Sequence, residues 1–77
     1  MNRKLLVYDW KVIARDEDFR KYKKVYLLEI DLGDLQYQVG TEMHFGNNNT
    51  ARITKITVDL VDNTEYYEAV ALNKWVN

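Results

Sequence analysis

Seventy-seven residues suffice for one small domain, and the chain carries 11 Lys or Arg against 12 Asp or Glu, one histidine and no cysteine. Disulfides and cysteine-rich metal sites are therefore excluded, and His44 alone cannot build a histidine-rich one. A chain of this size buries only about 60–65% of the surface its unfolded form exposes, so stability must come from tight packing or from association with another chain. Two tryptophans, six tyrosines and two phenylalanines supply the bulk for such packing.

Charge is unevenly distributed. Up to Lys24 there are eight basic residues against four acids, and from Val25 onward three against eight. No apolar run is long enough for a membrane span or a signal peptide. The expectation is a cytoplasmic protein, in keeping with the absence of cysteine.

The first element predicted is a strand from about Lys4 to Ala14 or Arg15. Leu6, Tyr8, Trp10, Val12 and Ala14 alternate with Asp9, Lys11 and Arg15, and a period of two sends alternate side chains to opposite faces. The charged stretch Arg15 to Lys24 is expected to be a long hairpin connection, with a helical turn near residues 16–22 that Asp16 could cap. A second strand follows from about Lys24 to Leu32, where Tyr26, Leu28, Ile30 and Leu32 alternate with Glu29 and Asp31. Gly33-Asp34 marks a turn.

Leu35, Tyr37 and Val39 suggest a short third strand, interrupted at Gly40-Thr41 and continued by Met43 and Phe45. Gly46 to Thr50 is the clearest loop, because glycine and asparagine tolerate positive φ. The β-branched run from about Ala51 to Val61 is the fourth strand. Its apolar parity slips between Ile53 and Ile56, which a bulge near Lys55 would reconcile. Asp62-Asn63 reads as a tight turn into a fifth strand, Thr64 to Leu72. A helix over the same residues is the competing reading, since Asp62-x-x-Glu65 resembles a capping box. Together these elements predict a mostly β domain over residues 1–77, either a five-stranded curled sheet or an SH3-like or OB-like barrel. Its expected inward residues are Leu6, Tyr8, Val12, Leu28, Ile30, Ile56, Val58 and Leu60.

No residue pattern points to catalysis. Glu29, Asp31 and Asp34 lack the density and internal glycine of a calcium loop, and His44 has no nucleophile near it in sequence. No enzyme activity, cofactor or metal is expected. The best functional candidate is Phe19, Arg20, Lys21, Tyr22, Lys23 and Lys24, running on to Tyr26, where cations interleave with aromatic rings. Tyr67 and Trp75 join it as candidate partner-binding residues, because a domain this small cannot enclose all its aromatics and exposed aromatic patches mark interfaces. The leading expectation is a non-enzymatic protein-binding module, of the size and style of phage or mobile-element accessory proteins that inhibit a larger partner by occluding it or that self-assemble, most simply as a homodimer. The alternative is a small barrel that binds nucleic acid through residues 19–26, by phosphate neutralisation and base stacking.

Overall fold

The computed structural model describes the backbone of residues 1–15 and 20–76, and the side chains of residues 1–10 and 24–76. Five strands form one mixed sheet: β1 (Asn2–Arg15), β2 (Arg20–Asp31), β3 (Glu42–His44), β4 (Thr50–Asp59) and β5 (Thr64–Ala71). Their spatial order is β2-β1-β5-β4-β3. β1 and β5 pair in parallel at the centre, and every other pairing is antiparallel. The sheet ends in two edges, β2 and β3, so the barrel expectation gives way to an open sheet.

That order dictates which face becomes the core. β2 lies at one edge and β3 at the other, so the chain after Asp31 must cross the sheet to reach β3. It does so over one face only, and Leu32 and Tyr37 of this crossing segment pack there, joined by Met43 of β3 and Phe45 just beyond it. Beneath them lie Leu5 and Val7 of β1, Ala51 and Ile53 of β4, and Ala69 of β5, all 0% exposed, with Tyr67 at 3%. Leu28 and Ile30, paired to Val7 and Leu5, are half-buried against the same cluster.

The inward set expected from parity is therefore corrected in part. In β1 the odd residues Leu5 and Val7 enter the core, and Leu6 is half-buried on the opposite face. Tyr8 is buried, but it too lies on the opposite face, under Lys24. β1 carries apolar residues in both registers, Leu5 and Val7 in one and Leu6, Tyr8 and Trp10 in the other, so alternation alone cannot choose between its faces. The side chain of Val12 lies outside the described residues.

In β4 the bulge is present. Ile53 pairs with Ala69 and Lys55 with Glu68, leaving Thr54 unpaired. This restores Ile56 and Val58 to the core-facing side, as the slip in parity required. They nonetheless remain 37% and 50% exposed, because the crossing segment does not pack on that end, and Leu60, in the turn beyond β4, is 82% exposed.

Other expectations shift in their boundaries. Residues 16–19 of the supposed helical turn lie outside the described residues, and Arg20 to Tyr22 belong to β2. Arg20 to Lys24 is thus strand and not connection, paired with β1 from Arg15 to Trp10. Leu35 to Val39 is not a strand, and only Glu42–His44 ladders onto β4. The fifth strand replaces the helix alternative, entered through the Asp62-Asn63 turn with Asn63 at φ 52°. Gly46–Asn48 forms a single 3-10 turn in which Asn47 and Asn48 take positive φ.

Asparagines also close the C-terminal end. Asn49, 7% exposed, donates through Nδ2 to Val76 O at 2.9 Å and accepts from Val76 N–H through Oδ1 at 2.9 Å. Asn73 donates to Asn48 O at 2.8 Å and accepts from Thr50 N–H at 3.1 Å. The side chains take the place of a strand's ladder and tie the C-terminal segment to the Gly46–Thr50 turn. No helix among the described residues is long and apolar enough to cross a membrane.

Candidate functional site on the open face of the sheet

No described segment crosses the second face of the sheet. Strand pairing assembles it from Leu6, Tyr8 and Trp10 of β1, Lys24 and Tyr26 of β2, and Tyr66 and Glu68 of β5. The bulge at Leu27 allows this on β2. Val7 pairs with Leu28 and Tyr8 with Tyr26, so the extra residue lets Leu28 face the core and Tyr26 the open side.

At the centre is Lys24. Its Nζ lies 2.7 Å from Glu68 Oε1, 4.0 Å above the centroid of the Tyr8 ring and 5.5 Å from that of Tyr26. Tyr8 meets Trp10 edge to face at 5.8 Å and Tyr26 at 6.4 Å. Both geometries suit the ring quadrupole, which attracts cations to the face and aromatic hydrogens from the edge. The hydrogen bond to Glu68 raises the Lys24 pKa above the ordinary lysine value, against an opposing desolvation. Lys24 is thus held charged and already neutralised by a carboxylate, which leaves it a structural cation and a poor proton carrier.

The outer part of this cluster is exposed: Trp10 is 51% and Tyr26 60% accessible, while Tyr8 beneath them is 9%. Two large rings are presented on neighbouring strands, and aromatic side chains have few rotamers to lose when they are covered. Beside them an open groove of about 360 Å³, lined by Leu6, Lys55, Thr57, Tyr66 and Glu68, continues across the face. Further ion pairs frame it: Lys4 with Glu29 at 3.7 Å, and Arg52 with Glu42. Among the described residues, no group of three or more His, Asp or Glu is placed to hold a metal ion. His44 is exposed on β3.

The residues singled out from sequence are dispersed. Phe19 lies outside the described residues. Arg20, Lys21, Tyr22 and Lys23 are strand residues of β2 whose side chains lie outside the described set. Lys24 is in the cluster. Tyr67 is in the core on the opposite face, its hydroxyl donating to Glu65 at 2.9 Å. Burial raises its pKa above the ordinary tyrosine value, helped by that hydrogen bond. Trp75 is half-buried over the core, its Nε1 donating to Thr50 O at 2.9 Å and its ring 5.1 Å from Phe45. Sequence reasoning placed Tyr8 inward and did not bring Glu68 into the site at all. The signal was there in part, in the aromatic even register of β1 and in the Lys24-x-Tyr26 spacing. The partnership of Lys24 with Glu68, 44 residues apart, was not. Comparison with protein-family models, with curated proteins and with solved structures finds no match for this chain.

Proposed function

We propose that this chain is a non-enzymatic protein-binding module that covers part of a larger partner with its open sheet face. Trp10 and Tyr26 would be the anchors, held in position by Tyr8. The observation that carries the reading is the exposure of these two rings, 51% and 60%, on a face that no described segment covers. Binding hot spots are enriched in Trp and Tyr that sit at the centre of such a patch. The internal neutralisation of Lys24 by Glu68 favours a partner that meets the rings with apolar and hydrogen-bonding groups. An accessory protein that inhibits by occlusion fits this mode, since occlusion needs surface and no chemistry.

The test is affinity for a partner isolated with the wild-type chain. Trp10→Ala and Tyr26→Ala should each weaken binding by about 30-fold or more, the loss of a hot-spot residue, with the fold unchanged. Retained affinity in both folded variants rejects the reading.

Nucleic acid is the second reading, favoured by one feature. β2 runs Arg20, Lys21, Lys23, Lys24 directly into Tyr26, which sets cations beside a ring able to stack on a base. It predicts that affinity for any single strand falls steeply with salt. Binding of oligonucleotides that is weak and insensitive to salt removes it.

A further inference from the structure

Half of β4 has no neighbour on its outer side. From Thr50 to Arg52 that side is covered by β3. At Ile53 it is covered by the chain just before β3: Ile53 N–H donates to Thr41 O at 2.9 Å, and Gly40 N–H donates to Ile53 O at 2.7 Å. From Lys55 to Asp59 no described residue bonds it. The stretch is rich in β-branched residues and has no proline. A bare edge of this composition is a template for another strand.

Which backbone groups are free follows from the pairing of β5. Asn63 O accepts from Asn2 N–H at 2.9 Å and so points to β1, and the Thr64 N–H of the same peptide points the other way, to β4. Thr64 and Tyr66 therefore bond to Asp59 and Thr57, their partners in the ladder. Ile56 and Val58 lie between these positions and direct their N–H and C=O groups outward, where nothing in the described chain meets them.

The stretch Lys55-Ile56-Thr57-Val58-Asp59 is complementary to itself. Laid antiparallel about Thr57, Lys55 meets Asp59 and Ile56 meets Val58, each twice by symmetry, and Thr57 meets Thr57. No bulge follows Thr54, so Lys55, Thr57 and Asp59 share the open-face side, and Ile56 and Val58 share the core side. Opposite charges thus meet on one face and part-exposed aliphatic side chains on the other. The Ile56–Val58 pairs exchange the backbone bonds, and the charged and Thr57 pairs are the closer, non-hydrogen-bonded ones. Both charges are available. Lys55 stands opposite Glu68, but Glu68 is bonded to Lys24, and Lys55 has no ion pair among the described residues. Asp59 gives Oδ1 to the N–H groups of Val61 and Asp62 and keeps Oδ2 free. Length fits as well, since β4 ends at Asp59, before the second copy's Ile53 and its covering Thr41 are reached.

We infer that the outer edge of β4 from Lys55 to Asp59 pairs with the same edge of a second copy of this chain, antiparallel about a two-fold axis at Thr57. The two sheets then continue into one another. Ile56 of each copy lies beside Val58 of the other, at the end of the core face that the crossing segment leaves open. The inference does not rest on the proposed binding face, because Trp10 and Tyr26 stand on β1 and β2, across β5 from this seam.

The test is a charge exchange followed by sedimentation. The wild-type chain should dimerise in the micromolar range, and more weakly as salt rises. Lys55→Glu and Asp59→Lys should each raise the dimer dissociation constant by about tenfold or more, because two attractive cross-strand pairs become repulsive. An equimolar mixture of the two should restore a dimer, now of one copy of each. Val58→Pro removes an N–H that the single chain does not use, and should abolish the dimer with the fold kept. Trp10→Ala should dimerise as the wild type does. If Asp59→Lys or Val58→Pro fails to fold by circular dichroism, Lys55→Glu and Asp59→Asn, which keeps the turn acceptor, are read in its place. A wild-type monomer at high micromolar concentration overturns the inference. So does a folded edge variant that dimerises like the wild type, a mixture that stays monomeric, or loss of the dimer in Trp10→Ala.

Discussion

The covered and open faces of this sheet are built from the same strands by different means. On the covered face, aliphatic side chains from β1, β4 and β5 are 0% exposed and are held by packing alone. On the open face, Tyr8, Lys24 and Glu68 are held by an edge-to-face ring contact, a cation over a ring and an ion pair. Apolar burial is non-directional and grows with area, so it suits the face that another layer covers. Directional contacts keep their geometry without a covering layer, so they suit the face that remains free. The first face therefore sets stability, and the second can be altered at little cost to the fold.

The largest test of this division is in the core. Ile53→Ala should cost about 2–5 kcal/mol, the range for truncating a fully buried aliphatic side chain. Ile30→Ala, half-buried at the margin, should cost less. Denaturant midpoints at constant m-value measure both, and equal losses would show that the margin is as well packed as the centre.

Next comes the clasp at the C-terminal end. Asn49→Ala removes two part-buried hydrogen bonds to Val76, at about 1–3 kcal/mol for the pair. Hydrogen exchange at Val76 should accelerate beyond what the global loss explains. Protection that falls uniformly would show that the clasp is no local unit.

On the open face, Glu68→Gln should cost about 1 kcal/mol or less, because its ion pair with Lys24 is only partly buried. The loss should shrink as salt rises. A loss as large as that of Ile53→Ala would erase the contrast between the two faces.

Alkaline pH reads one group on each face. Lys24 and Tyr67 both have pKa values raised in the folded state, Lys24 by its bond to Glu68 and Tyr67 by burial. A raised value stabilises the fold fully below the unfolded pKa, and that contribution is lost as pH rises through the folded one. Stability should therefore fall above about pH 10, where unfolded tyrosine and lysine begin to titrate. Lys24→Met should flatten part of this decline, and an unchanged slope would remove Lys24 from the linkage.

The smallest effects are expected at exposed apolar positions. Trp10→Ala should change stability by about 1 kcal/mol or less, in contrast to its proposed effect on binding. Val58→Thr, on the uncovered end of the core face, should be neutral within about 0.5 kcal/mol.

How far the sequence could be read depended on range. The β-branched run, the parity slip expected near Lys55 and the Asp62-Asn63 turn are local, and each is found within a residue of where the pattern put it. The barrel was not decidable from such signals. Closure depends on whether edge strands meet, and β2 and β3 are separated by the whole width of the sheet. Part of the candidate site was legible in the same limited sense, as cations interleaved with rings up to Lys24 and Tyr26. Tyr67 and Trp75 were not separable by sequence from the exposed aromatics. A ring over the core and a ring over solvent have the same composition and the same spacing.

The amino-acid sequence by itself determined that this protein is made of strands, where most of them turn, and that neither disulfides nor a cysteine-rich metal site hold it together. Those properties follow from alternation, turn chemistry and the absence of a residue type, and they need no knowledge of neighbours. Only the tertiary structure decided which face of β1 is the core, that β5 lies parallel beside it, and that Lys24 meets Glu68. An alternation of period two is symmetric between the faces of a strand. The symmetry is broken by the path of residues 32–41 across the sheet, a property of the whole chain and of no single segment in it.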